Sequence, residues 1–151
     1  MARPVPETIR PEELPERARA VIRGNRFPFL ATVDGDLPRV RPVTLSWEEG
    51  FQIFFVSLRR FHKTVELAAN PNAELCFMDE KHDQVRVTGV AEVVTERALL
   101  QRAWDQDPLL PRYLGTIDNP EFILYRVRPT RVRYMKEWAI DYHEVPLAPA
   151  P

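Results

Sequence analysis

From residue 37 to residue 71 the chain reads Leu37-Pro38-Arg39-Val40-Arg41-Pro42-Val43-Thr44-Leu45-Ser46-Trp47, then Glu48-Glu49-Gly50, then Phe51-Gln52-Ile53-Phe54-Phe55-Val56-Ser57, then Leu58-Arg59-Arg60-Phe61, and finally His62-Lys63-Thr64-Val65-Glu66-Leu67-Ala68-Ala69-Asn70-Pro71. The order is strand, turn, strand, polar loop and short helix. In the first strand Leu37, Arg39, Arg41, Val43, Leu45 and Trp47 share one face, and Val40, Pro42, Thr44 and Ser46 share the other, so neither face is cleanly apolar. The run Ile53-Phe54-Phe55-Val56 is apolar on both faces and calls for cover on both sides. Pro71 restricts Asn70 and ends the helix that begins at His62.

Working outward, Glu12 to Arg23 has helical character ended by Gly24-Asn25, and Phe27 to Val33 is a first strand closed by the turn Asp34-Gly35-Asp36. Beyond the helix, Asn72 to Met78 is a strand and Asp79 to Asp83 a solvated turn. Val85 to Val94 shows the clearest two-residue alternation in the chain, with Gly89 marking a bulge or a close backbone approach. Thr95 caps a predicted helix through Gln106, residues 107–113 form a loop, and a last strand runs from Glu121 to Tyr134 with an interruption at Pro129. These elements predict one mainly β (α+β) domain over residues 1–151. Its core is an antiparallel split β-barrel of six to seven strands with short flanking helices, between an extended arm at 1–11 and a C-terminal tail at 139–151. Barrel closure removes the exposed edges that so many short strands would otherwise leave.

Composition sets the boundaries of function. The 151 residues carry 21 Lys and Arg against 22 Asp and Glu, a net charge of −1, so no global field draws the protein to nucleic acid or to an acidic membrane. Fifteen prolines against five glycines place strand ends by fixed φ rather than by glycine's freedom. The one cysteine, Cys76, sits in an apolar strand and reads as a buried structural thiol. Met1-Ala2-Arg3-Pro4 has no apolar signal core and no stretch approaches a membrane span, which predicts a cytoplasmic protein. His62, His82 and His143 have no metal-ligand spacing, and no metal site is expected.

The chemistry concentrates at 59–64. Arg59, Arg60, His62 and Lys63 come with no acid among them and feed directly into a helix N-terminus. Free N–H groups, the positive end of the helix dipole and cationic side chains together favour a phosphate dianion. The same charges also fit an ordinary solvated basic loop. Arg126, Arg128, Arg131, Arg133 and Lys136 form a second cationic run, interleaved with apolar residues as in a half-buried strand with one solvated face.

Arg41-Pro42-Val43-Thr44, Val56-Ser57, Lys63-Thr64-Val65-Glu66-Leu67, Asn70-Pro71 and Gln84 through Glu92 occur in an order and at a spacing that resemble the FMN-binding split barrels related to pyridoxamine 5′-phosphate oxidase, over residues from about 15 to 138. The resemblance implies that Arg41, Pro42, Val43 and Thr44 lie along the flavin ring, mostly through backbone. It sets Val56 and Ser57 beside the ring and ribityl chain, and His62 and Lys63 as phosphate ligands with Thr64 adding a hydroxyl. Gln84 would reach the flavin, and Trp138 would stand against it or serve as an interface or core tryptophan. It also implies a homodimer with both sites at the interface, working with a small-molecule substrate or electron donor. The chain departs from the oxidase itself. Ser46 stands where that enzyme has a substrate-contacting lysine, and Trp104-Asp105-Gln106-Asp107-Pro108-Leu109-Leu110 replaces its Tyr, Arg and Ser substrate cluster. The resemblance is therefore to the smaller general-stress-protein type. The expected function is an FMN-dependent oxidoreductase with no assigned catalytic residue. The alternatives are an F420-binding reductase of the same fold or a flavin or heme carrier without turnover.

Overall fold

The computed structural model describes residues 7–148; most of the predicted extended arm lies outside them. A 3-10 turn at Pro11–Glu13 leads into α1, Leu14–Gly24, whose Leu14, Ala18, Val21 and Ile22 form one buried stripe. The strands are β1 Phe29–Asp34, β2 Leu37–Pro42, β3 Leu45–Glu49, β4 Gln52–Leu58, β5 Asn72–Met78, β6 Gln84–Val93, β7 Phe122–Met135 and β8 His143–Glu144. Helix α2, His62–Ala69, joins β4 to β5; α3, Arg97–Gln106, and α4, Leu109–Leu114, join β6 to β7.

Every pairing is antiparallel, in the order β2-β1-β5-β6-β7-β4-β3, with β8 added beside β7. The expected strand 37–47 divides in two because residues 43–45 leave β2 for β3. In crossing they extend the β1–β2 ladder. Val43 N–H donates to the Pro28 carbonyl at 2.9 Å and Leu45 N–H to the Arg26 carbonyl at 2.9 Å. This bridge closes the sheet into the split barrel. Among the described residues the strand count rises from the expected six or seven to eight, through that division and through β8, which forms inside the predicted tail.

Leu30, Ile53, Phe55, Leu75, Phe77, Val85, Val87, Val127 and Tyr134 fill the barrel, with α1 packed against it. Phe54 points the other way, stacks on Trp47 at 4.4 Å between ring centroids and lies with Ala103, Leu110, Phe122 and Leu124 under α3 and α4. The apolar run 53–56 is thus covered on both sides, as its composition demanded. The turn into β4 places Gly50 and Phe51 at positive φ, +58° and +65°. Phe51 is held there by burial of its ring and by its N–H donating to the Glu48 carboxylate at 2.8 Å.

Several local expectations are corrected. The N-cap of α3 is Glu96, not Thr95, and the predicted loop 107–113 contains α4. Asp83 is not solvated: it is buried, accepting from the Tyr134 hydroxyl at 2.6 Å and from Glu137 N–H at 3.0 Å. Cys76 is half-buried on the outward face of β5, because alternation gives the inward places to Leu75 and Phe77, and burial pushes its thiol pKa up. β7 runs unbroken through Pro129, since Thr130 bulges opposite the Thr88–Gly89 step. The cations of β7 and Lys136 are matched by carboxylates: Arg126 and Arg128 by Glu92, Arg131 by Glu144, Arg133 by Glu74 and Lys136 by Glu7.

Gly89 combines both features read from the sequence. It borders the bulge, and a Cβ there would collide with the Arg128 carbonyl oxygen and the Val127 side chain. Gly89→Ala is expected to destabilise the fold by about 2–3 kcal/mol, read as a lower denaturant midpoint in equilibrium unfolding; a midpoint equal to wild type would contradict the close packing.

Candidate functional site

The bridge that closes the barrel also borders a depression. Pro42, Val43 and Thr44 at the crossing, Val56 and Ser57 near the end of β4, Lys63 on α2, and Phe27 and Phe61 line a pocket of about 270 Å³. Six residues singled out in the sequence meet here: Pro42, Val43, Thr44, Val56, Ser57 and Lys63. They come from three separate segments, brought together because β3 and β4 form a hairpin and α2 follows β4 directly.

Lys63 is the unusual group. Its ammonium lies 4.5 Å from the centroid of the Phe61 ring, and none of the ion pairs among the described residues includes it. Burial, together with repulsion from Arg41, holds its pKa below the ordinary lysine range, while Glu66 pulls the other way. Helix α2 starts beside it with Phe61 as N-cap and no side chain capping the first turn. An unpaired cation and unsatisfied helix N–H groups, with the hydroxyls of Thr44 and Ser57 nearby, make a site ready for an anion.

The other cations of the loop are used by the fold. Arg59 donates through Nε to the Pro120 carbonyl at 2.8 Å, and Arg60 pairs with Glu121 at 2.8 Å. His62 is exposed and lines a neighbouring depression of about 190 Å³ with Asp34, Arg60, Val65 and Glu66. Successive helical residues point about 100° apart, and His62 and Lys63 line different depressions. Thr64 donates its hydroxyl to the Leu58 carbonyl at 3.3 Å. Arg41 turns inward: its guanidinium bonds Thr32 Oγ1 and the Glu66 carboxylate, each at 2.5 Å.

Gln84 and Trp138 stand apart from the pocket. The registers Pro42↔Phe29, Phe29↔Cys76 and Cys76↔Arg86 put Gln84 on the same outward face as Pro42 but three strands away, about 15 Å at ~4.8 Å per strand. Its side chain accepts from the Tyr142 hydroxyl at 3.1 Å. Trp138 is 75% exposed just beyond β7 and holds a positive φ of 63°. Sequence reasoning missed Phe27, read as a strand residue, and Phe61, read as part of a polar loop. An aromatic next to an acid-free cationic run at a helix start was the available signal.

An antiparallel split barrel with an anion-ready pocket at its crossing is the class of protein that fold and site define. Residues 14–136 match the sequence pattern of pyridoxamine 5′-phosphate oxidase, and the chain belongs to that family. Solved structures with the same fold include general stress protein 26 from Bacillus anthracis, 24% identical, with a TM-score of 0.72 over 82% of this chain and 94% of that one. A pyridoxamine 5′-phosphate oxidase-related, FMN binding protein from Nostoc punctiforme is 20% identical, with a TM-score of 0.64 over 88% and 86%. A heme binding protein from Mycobacterium smegmatis is 21% identical, with a TM-score of 0.73 over 91% and 60%. None of the curated protein sequences searched matches the chain. No helix among the described residues is long and apolar enough to cross a membrane.

A folded-state lysine pKa below that of the unfolded chain means that the charged form is disfavoured by folding. The penalty is present at neutral pH and disappears as pH rises through the lowered value towards the ordinary one. Lys63→Met removes it, so the melting temperature at pH 7 is expected to stay level or rise. A clear fall would show Lys63 to be a prop of the fold rather than a group held ready for a ligand.

Proposed function

We propose that the protein binds FMN, with the phosphate at Lys63 and the N-terminus of α2, and acts as an FMN-dependent oxidoreductase on a small substrate. The observation that carries the reading is the half-buried, unpaired Lys63 ammonium beside an uncapped helix start. A phosphate dianion satisfies both. Thr44 and Ser57 offer hydroxyls to a ribityl chain, and Pro42, Val43 and Val56 offer an apolar wall to one side of a flat ring. The bound flavin would supply the hydride and electron chemistry. The chain's own part is to hold the phosphate through Lys63, to orient the ring against the 42–44 backbone, and to shield it with Phe27 and Phe61. Membership of the family and the Nostoc neighbour, described as FMN binding, support this reading.

The working unit in this reading is a homodimer. A pocket of about 270 Å³ falls just below the ~300–1,000 Å³ usual for small-molecule sites, so a second wall is needed to enclose a flavin. Phe27, Phe29, Val40 and Met78 are exposed near the pocket, and the registers set Phe29, Val40 and Met78 on the outward face that leads to Gln84. A second copy seated there covers them and brings its own Gln84 and Trp138 towards the flavin.

Titration of the purified protein with FMN is expected to give a bound flavin spectrum. Lys63→Ala should weaken FMN by about 10- to 100-fold and leave riboflavin, which has no phosphate, little changed. FMN affinity should fall as pH rises through the lowered Lys63 pKa, before the ~10.4 of an ordinary lysine. Tighter binding of F420, or a bound flavin inert to NADH and NADPH under anaerobic conditions, would favour the reductase or the carrier reading instead. Val40→Asp should shift the protein towards monomer in sedimentation velocity and weaken FMN with it; an unchanged dimer would place the interface elsewhere.

A further inference from the structure

Glu66 is a buried carboxylate on α2, one helical turn beyond Lys63, and its side chain is only 7% exposed. Thr32 of β1, 2% exposed, donates its hydroxyl to Glu66 Oε2 at 2.5 Å. Arg41 of β2 donates through Nη2 to the same oxygen and through Nη1 to Thr32 Oγ1. The three groups form a closed triangle that ties α2 to the two strands in front of it. The charges around Lys63 are then divided: Arg41 is neutralised by Glu66, Arg60 by Glu121, Arg59 is held on a carbonyl, and His62 faces away. Lys63 is left as the free cation of the pocket.

We propose that Glu66 is a positioning residue for the anion site: acting through Arg41 and Thr32, it fixes the orientation of α2 that presents Lys63 and the helix N-terminus to the ligand phosphate. The role rests on the reading of the Lys63 pocket as a flavin phosphate site. It makes a prediction opposite in sign to simple electrostatics. Removing a carboxylate and unmasking an arginine next to an anion site strengthens the positive field, so a role through charge alone tightens phosphate binding. Loss of orientation weakens it.

The test uses the full chain as wild type, Glu66→Gln and Thr32→Val, each checked for folding by its melting curve and titrated with FMN and with riboflavin. Thr32→Val opens the triangle without changing any charge, and it keeps the test open should Glu66→Gln fold poorly. Both variants are expected to bind FMN roughly tenfold more weakly with riboflavin unchanged, so that the preference for the phosphorylated flavin collapses. In Glu66→Gln the alkaline loss of FMN binding also moves to lower pH, since Lys63 loses its carboxylate neighbour and faces an uncompensated Arg41. A folded Glu66→Gln that binds FMN as tightly as wild type or more tightly overturns the proposal, as does a folded Thr32→Val with wild-type preference. Should wild type itself fail to prefer FMN over riboflavin, the flavin reading falls, and NMR titration of the Lys63 side chain in the ligand-free proteins decides the role of Glu66. A Lys63 pKa moved by Thr32→Val, which changes no charge, supports it, and an unmoved one ends it.

Discussion

The structure turns on the backbone crossing at residues 43–45. A chain leaving β2 must either stop pairing or carry its ladder across to the next strand, and the hydrogen bonds of Val43 and Leu45 to the Pro28 and Arg26 carbonyls take the second course. Unpaired backbone groups at that point would be expensive. Closing the barrel this way brings the β3–β4 hairpin, and with it the loop and helix that follow β4, against the end of β2. The pocket is a by-product of closure: its floor is the crossing segment and its far wall is whatever β4 delivers next.

What β4 delivers is electrostatically sorted. Cations are abundant in this chain, yet nearly all those near the barrel are consumed by carboxylates or carbonyls, including the five along β7 and its end. Pairing at exposed positions adds little stability, but it leaves the local field featureless except where a pair is missing. At Lys63 the pair is missing and burial raises the penalty of keeping the charge. In the proposed reading this charge is kept for an anionic ligand. The buried Arg41–Glu66 pair makes the contrast sharper, since two charges of that kind are retained at a desolvation cost and hold a helix in one place.

The sequence was legible where local physics decides. Period-two alternation in β6, the turn signals, the stop at Asn70-Pro71 and the doubly covered run 53–56 all hold, because each depends on neighbours in the chain. Gly89 was read as bulge or close approach and is both. The divided strand 37–47 was not legible, since the division is enforced by carbonyls from residues 26 and 28. Asp83 was misplaced for the same reason, since Tyr134 buries it, whereas Cys76 was misplaced although strand parity, a local signal, turns it outward. At the pocket, the segment order selected six lining residues, but side-chain direction was beyond it. The Arg41 side chain enters the triangle with Thr32 and Glu66, and His62 lines the neighbouring depression.

The same parity separates Gln84 from the pocket within one copy of the chain. Inward positions of β1, β5 and β6 belong to the barrel core, so whatever those strands offer to a ligand must stand on the outward face. That face runs from Pro42 through Phe29 and Cys76 to Arg86, with Val40 and Met78 exposed beside them. It is continuous with the pocket but turned away from it, and no rotation of side chains carries Gln84 across three strands. A residue on such a face can meet a ligand bound at the crossing only through another molecule docked against it. In the proposed homodimer, two-fold pairing would do this symmetrically, each copy covering the other's apolar strip and lending its far edge to the other's pocket. In that reading the capacity for a cofactor lies in the pairing of faces rather than in the depth of the pocket that one copy forms alone.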